Sequence, residues 1–594
     1  MPDTYESEVS TPRQEYARRL EARRILEARL IQRHRLIVRM RNVVLGVIVL
    51  QVLLTEKEIA AVFCLLLVLP TLLFMSLIVW RNRLNRAIRR AAVAAEFYEG
   101  RLRCLTDSWA GRGEAGTAYV EDAHPCALDL DLFGPGCLFE LLCTPCTRWG
   151  RDTLAVWLRC PAMVDEIRAR QAAVAELRGQ LDLREELVVL ASEMPEPNDV
   201  DMLAAHGESV RPPISPWTRA TAAALSLLCL TTFVAGNCVG LGWTPFLAAL
   251  VLERGFARVI RRRVRHGSAI AEWPRRGLEA LEALLERLER IPFLCVRLRQ
   301  LRTEWEKDVR RSSRCLARMR RLLAWAPLMS LLLWGTPLLL AVENWRRCRG
   351  QAIGRWLAAL GEIEALCALA AHAYENPADP FPEIVPEGAC FDALGLGHPL
   401  LPRHLCVRND VRLGIEERVL IVSGSNMSGK STFLRAIGVN AVLALAGAPV
   451  RAQRLRITPL VIGATLRVQD SLQAGRSRFY AEVLRIRQLL DLSKQRPPLL
   501  FLLDELFQGT NSHDRRVGAE AVIRIFIDAG AIGLVTTHDV ALTDIADRLA
   551  PRAENVHFEE RFENGSMVFD YRLRSGAVRS SNGLALMRAV GIEV

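Results

Sequence analysis

The run Arg418-Val419-Leu420-Ile421-Val422 is apolar after its first residue, and Gly424-Ser425-Asn426-Met427-Ser428-Gly429-Lys430-Ser431-Thr432 follows it. Phe433-Leu434-Arg435-Ala436-Ile437 then reads as the start of a helix. No other feature constrains the fold as strongly as this order of strand, glycine-rich turn and helix. The turn fits G-x-x-x-x-G-K-[ST], the spelling of a phosphate-binding loop. Successive backbone N–H groups can cradle phosphates at a helix N-terminus, where the dipole favours negative charge. Lys430 is expected to reach the β/γ-phosphates of a nucleotide and Ser431 to hold Mg²⁺, so ATP and Mg²⁺ are the expected ligands.

Two further segments belong to this chemistry. Leu499-Leu500-Phe501-Leu502-Leu503 is a continuous apolar strand ending in Asp504-Glu505. Asp504 is expected to bind Mg²⁺ through water and Glu505 to polarise the attacking water. Gly533-Leu534-Val535-Thr536-Thr537-His538 is a strand whose final histidine is placed to sense the γ-phosphate. The expected catalytic set is therefore Lys430, Glu505 and His538. Between the phosphate loop and the acidic strand end, Asp470 to Ser477 looks like an ABC-type signature segment, with Gly475 and Ser477 offering amide and hydroxyl donors to a phosphate.

The chain is 51% hydrophobic and 24% charged, a sum that fits apolar segments gathered into membrane spans. Residues 1–41 carry ten arginines against six acids and read as a basic N-terminal helix. A transmembrane hairpin is expected over 42–80, with limbs at Val43–Leu54 and Ile59–Trp80 around Glu56-Lys57-Glu58; a span takes about 20 residues. Arg39 and Arg41 precede it, and Arg81, Arg83, Arg86, Arg89 and Arg90 follow, which puts both ends in the cytoplasm. A second hairpin is expected over 211–256, turning near Gly236–Trp243. Leu322–Val342 is a third apolar run. Crossing alone, it would carry the phosphate loop out of the cell, so a buried helix of the soluble part is expected there.

The remaining divisions are a first part of a helical core over 81–210, core and levers over 257–385, and an α/β domain over 386–594. Leu128-Asp129-Leu130-Asp131-Leu132-Phe133-Gly134-Pro135-Gly136 precedes the first core helices. Cys143-Thr144-Pro145-Cys146 is read as an apolar helix face and not a metal site, since no second C-x-x-C accompanies it. The fifteen scattered cysteines are those of a reduced cytosolic chain. The first 40 residues are polar and Arg-rich, so no cleavable signal peptide is expected.

From about Gly397 to Gly591 the chain resembles the ATPase domain of the MutS mismatch-repair family. The matching residues are Gly397-His398-Pro399, Asn409-Asp410, the loop Gly424–Thr432 with its Asn426-Met427, and Asp470 to Ser477 with Phe479 and Glu482. Leu503-Asp504-Glu505 follows with Gly509-Thr510-Asn511-Ser512 and Asp514, then Thr536-Thr537-His538. A weaker likeness to the family's helical core runs through Thr147, Gly150, Leu154, Trp157-Leu158, Pro161, Ile167, Arg170-Gln171 and Ala173-Val174. The resemblance implies an α/β ABC-type P-loop ATPase domain at the C-terminus. An all-α lever and core region carrying transmembrane helical hairpins would precede it. It also implies a homodimer in which Ser477 of one subunit faces the γ-phosphate held by Lys430 and Ser431 of the other.

The region with which the family reads mismatches has no counterpart here. Phe97-Tyr98-Glu99 has the spelling of a mismatch wedge but lies in an Arg/Ala-rich helix beside a membrane span. The expected function is thus a membrane-anchored ATPase of the cytoplasmic membrane, multi-pass, with lipid and an unidentified protein as partners and its ATPase domain in the cytosol. The alternative is a membrane-tethered DNA-binding protein with a mismatch-repair-like role, using arginines of 257–320 on phosphates. The spans hold no buried acid or base to line a transport path.

Overall fold

The computed structural model describes residues 11–53, 60–194, 214–238, 242–264, 275–306, 312–324, 335–425, 427–467, 478–563 and 566–578. Its strands follow the helical region. They are β1 (Glu383–Ile384), β2 (Phe391–Leu396), β3 (Asn409–Leu413), β4 (Val419–Ser423), β5 (Arg454–Ile457), β6 (Val461–Thr465), β7 (Leu499–Leu503), β8 (Ile532–Thr537), β9 (Ala553–Glu563) and β10 (Ser566–Ser575). They form a four-stranded sheet, β1-β5-β2-β3, and a six-stranded sheet, β10-β9-β4-β8-β7-β6.

In the larger sheet every pairing is parallel except that of β10 with β9. Strands β4, β7 and β8 are buried along their whole length. Covered on both faces, such strands read as unbroken apolar runs. The register pairs Ser423 with Thr537 and Leu503 with Val535, so β8 lies between β4 and β7. The three motif-bearing segments therefore emerge side by side at the carboxyl ends of their strands, where open α/β sheets bind ligands.

The N-terminal region is helical. Pro12–Leu53 and Ala60–Leu105 form a long antiparallel hairpin. The basic segment and the first apolar limb are one helix, so the expected division at 41/42 falls within it: no proline or glycine interrupts residues 13–45. Tyr16, Phe97, Tyr98 and Leu181 close the base of the hairpin, so the Phe-Tyr-Glu spelling serves packing. By length and composition four helices could cross a membrane: Pro12–Leu53, Leu67–Leu105, Pro216–Cys238 and Ala352–Glu375. The apolar windows of the first three are 0%, 6% and 17% buried, and that of the fourth is 89% buried, which makes it core.

Pro216–Cys238 packs against Thr244–Val264, and Phe233, Trp243 and Phe246 cluster at their turn. The second limb does not qualify as a span; it carries Glu253, a buried acceptor for Thr336 Oγ1 at 2.7 Å. Of the run Leu322–Val342, residues 325–334 lie outside the described residues. Leu322 lies in the last turn of one helix (Ser312–Ala324), and Leu340 and Val342 are buried in the next (Gly335–Glu375).

Gly335–Glu375 is the spine of the core. Trp356, Leu357, Leu360, Ile363, Leu366 and Leu369 are buried along it. The helix Arg148–Arg159 crosses it at two glycines. A Cβ on Gly361 would lie 2.7 Å from the Trp149 backbone, and one on Gly150 would lie 2.5 Å from Glu364 Oε2. Thr147 caps the crossing helix by accepting from Gly150 N at 3.2 Å. Glu364 in turn accepts from Cys146 N at 3.3 Å and from the Thr147 hydroxyl. Cys143 to Cys146 is an irregular link between two helices and not a helix face. Among the described residues no group of three His, Cys, Asp or Glu is placed to hold a metal.

The spine meets both ends of the molecule. Its last residue, Glu375, is paired with Arg101 of the hairpin, Nε to Oε1 at 2.6 Å, and accepts from Tyr16 at 3.3 Å. Four residues on, Asp379 is 2.8 Å from Arg403 and 3.9 Å from Arg451, whose Nη1 donates to Leu401 O at 2.6 Å.

Candidate active site

The helix Lys430–Ala446 starts directly from the glycine loop, capped by Gly429 at φ 99°. At this conformation an L side chain is strained, and a Cβ would also lie 3.0 Å from the Tyr571 ring. Gly424, at φ 155°, allows the loop to pass Phe558 O, 3.1 Å from where a Cβ would be. Ser425 Oγ and Ser428 Oγ are buried with no hydrogen-bond partner among the described residues. Buried hydroxyls are seldom left so, and both belong to a loop whose pattern cradles phosphate oxygens.

Lys430 is buried. Its Nζ donates to Gly424 O and Ser425 O, each at 2.8 Å, and lies 3.7 Å from Glu505 Oε1. Burial pushes its pKa below the usual lysine value, opposed by Glu505 and Asp504. Ser431 Oγ donates to Asp504 Oδ2 at 2.6 Å. Asp504 Oδ1 accepts from the Thr536 hydroxyl, which itself accepts from Glu505 N at 3.1 Å. Glu505 takes a left-handed backbone, φ 51°, and its Oε1 is 3.3 Å from His538 Nδ1. A non-glycine residue held at positive φ next to chemistry is a common form of stored strain.

The structure thus brings together Lys430, Ser431, Asp504, Glu505 and His538. Asn426, Gly475 and Ser477 lie outside the described residues. The residues after them are placed: Glu482 Oε1 accepts from Phe507 N at 2.6 Å, and Phe479 packs on Phe507 and Gly509. Asn511 caps the next helix by accepting from Asp514 N at 2.8 Å.

Above the loop opens a cavity of about 830 Å³, within the range of nucleotide-sized sites. Its floor is Lys430, Ser431, Asp504 and Glu505, and its wall is apolar, with Leu401, Leu405, Val407, Phe433 and Tyr571. Burial holds His398, on the same wall, neutral with its pKa down at about 4. Sequence reasoning missed this wall, because Leu405, Val407 and Tyr571 belong to no motif; Thr536 and His398 stood inside quoted motifs without a role. The metal-side donors are a hydroxyl and a carboxylate, oxygen only, which suits a hard cation such as Mg²⁺.

The sequence profile of MutS domain V matches residues 420–593. The C-terminal part of the chain thus matches a MutS domain V. It is 36% identical over 253 residues to DNA mismatch repair protein MutS 2 of Halobacterium salinarum, covering 41% of this chain and 28% of that protein. It is 34% identical over 243 residues to DNA mismatch repair protein MutS of Natronomonas pharaonis, 39% of this chain and 27% of that protein. Against MutS of Geobacillus kaustophilus the identity is 33% over 202 residues, 33% of this chain and 22% of that protein. The chain therefore spans about a quarter of the length of these curated relatives.

Proposed function

We propose that this chain is a membrane-anchored ATPase that hydrolyses Mg²⁺-ATP at an ABC-type site completed by a second copy, and passes the resulting motion to its helical hairpins. The observation that carries this reading is the floor of the cavity: Lys430 among loop carbonyls and Glu505, with Ser431 against Asp504.

Each residue then has a role. Lys430 exchanges the loop carbonyls for β/γ-phosphate oxygens, and the Ser425 and Ser428 hydroxyls, buried without a partner among the described residues, bond the phosphates. Ser431 and Asp504 would hold the cation, which when bound would offset charge on the phosphates. Glu505 orients the attacking water, and His538 steadies the carboxylate from 3.3 Å. Gly475 and Ser477 act on the partner's nucleotide. The apolar wall takes the base.

Coupling follows the buried pairs from the cavity wall at Leu401, through Arg451 and Asp379, to Glu375 and Arg101 at the hairpin base. The membrane reading rests on surface chemistry. Val43, Leu50, Leu53, Leu69, Leu72 and Trp80 are exposed on the hairpin, far more apolar surface than a soluble monomer leaves open. Arg33, Arg35, Arg39, Arg81, Arg83 and Arg89 follow on the cytosolic side, suited to anionic headgroups.

Reconstitution of the purified full chain into vesicles tests the reading. Mg²⁺-dependent ATP hydrolysis should float with the vesicles; protein left in the aqueous fraction, or vesicle-bound but inert, would contradict it. Matched and mismatched duplexes at two salt concentrations test the relatives' named role: DNA binding that falls with salt would turn the proposal towards a tethered DNA-binding protein.

A further inference from the structure

Leu128-Asp129-Leu130-Asp131 has no part in the mechanism above, yet it is inserted into the nucleotide domain. Leu130 is fully buried over Gly438, where a Cβ would lie 2.5 Å from Leu130 Cδ2 and 2.8 Å from Leu502 Cδ1. Asp129 is 4% exposed. Its Oδ1 accepts from Leu466 N at 2.7 Å and Arg467 N at 2.8 Å, and its Oδ2 accepts from Arg485 Nη2 at 3.1 Å. Its carbonyl accepts from Arg435 Nε at 3.1 Å, and Asp131 is 2.8 Å from Arg467.

These bonds reach both sides of the cation site. Arg435 stands one turn into the helix that begins at Lys430 and carries Ser431. Leu466 and Arg467 follow β6, the edge strand of the sheet, which among the described residues pairs with β7 alone. The last carbonyl of β6, Thr465 O, accepts from Asp504 N at 3.2 Å. Pro125 O accepts from Ala464 N at 2.8 Å and Arg485 Nε donates to Ala464 O at 3.3 Å within the strand, and beyond its last residue the buried Asp129 carboxylate holds the two amides that follow.

We propose that Asp129 is a positioning residue for the cation site: it sets the distance between Asp504 and Ser431, and through it the helical region tunes how tightly Mg²⁺ is held with nucleotide. This rests on the nucleotide reading given above. Asparagine at 129 keeps the size but replaces one acceptor oxygen with a donor, so it cannot serve both the backbone pair and Arg485. Arg485→Lys loosens the same carboxylate while leaving its two backbone bonds.

The test is binding of a fluorescent ATP analogue to the full chain in detergent, in EDTA and across a Mg²⁺ titration. For Asp129→Asn, affinity in EDTA should stay near wild type while half-saturating Mg²⁺ rises about tenfold, the scale seen when the support of a metal ligand is removed. Arg485→Lys should shift the same curve in the same direction by less, which keeps the test open should Asp129→Asn fail to fold. A Mg²⁺ curve superimposed on wild type, or equal loss of affinity with and without Mg²⁺, would overturn the inference. Wild-type protein that binds no nucleotide would instead sink the nucleotide reading itself, and this inference with it.

Discussion

Lys430 Nζ lies 3.7 Å from Glu505 Oε1 while both of its short bonds go to the carbonyls of Gly424 and Ser425. The ammonium is held over the loop by groups that a phosphate can displace. Lys430→Ala removes the one cation buried against Glu505 and Asp504 among the described residues of the cavity floor. Charge-assisted bonds contribute about 1.5–3 kcal/mol, so ATP affinity should fall roughly 10- to 100-fold. Equilibrium nucleotide binding checks this, and unchanged affinity would remove Lys430 from the site.

Glu364 gives the chain a pH signature. Burial pushes its carboxyl up to about 7, against the hydrogen bonds of Thr147 and Cys146. Its folded pKa lies above the unfolded value, so the folded state binds the extra proton between about pH 4.5 and 7. Stability should fall as pH rises through that window, by an amount on the order of 3 kcal/mol. His372, held neutral by burial at about 3, acts in the opposite sense below its unfolded value. The measurement is therefore the difference between wild type and Glu364→Gln, in which His372 cancels. The variant should gain relative stability from pH 5 to pH 8, and a flat difference would show that Glu364 does not titrate there.

Gly361→Ala tests the helix crossing. The new Cβ would fall 2.7 Å from the Trp149 backbone, which cannot give way as a flexible side chain can. Overpacking of this kind costs about 1–3 kcal/mol, more than the roughly 1 kcal/mol that alanine gains in helix propensity. Denaturant unfolding in detergent should show a net loss, whereas Gly354→Ala on the same helix, with open space around it, should not.

The hairpin makes a separate prediction. Leu50 and Leu69 are exposed, the latter by 75%. If their surface faces lipid, each change to arginine costs about 2.5–3.5 kcal/mol of insertion. The double variant Leu50→Arg, Leu69→Arg should then leave the membrane pellet on alkaline extraction while wild type stays. Equal retention of both proteins would mean that these faces do not meet hydrocarbon.

How much of this was legible in the sequence differs from one element to another. The placement of the glycine loop, Asp504-Glu505 and His538 at strand ends could be read because each follows a mostly apolar run, a local pattern. That β8 lies between β4 and β7, bringing them together, is long-range pairing that no local pattern states. The spine shows where hydropathy fails: Ala352–Glu375 is apolar enough to cross a membrane yet packs against Arg148–Arg159 and Val164–Arg178. The basic segment before residue 42 looked separate only by charge, and a helix can continue through a change of charge. The tie from Asp129 to Leu466 and Arg467 joins backbone amides more than three hundred residues away, and nothing about a lone aspartate announces it.

The most direct test is single-turnover hydrolysis of ATP by the full chain beside Glu505→Gln. The variant should bind Mg²⁺-ATP as wild type does and cleave it at least about a hundredfold more slowly, the usual weight of a positioned acid or base. Equal cleavage by the two proteins would contradict the assignment of Glu505 and, with it, the catalytic site built around Lys430 and Asp504.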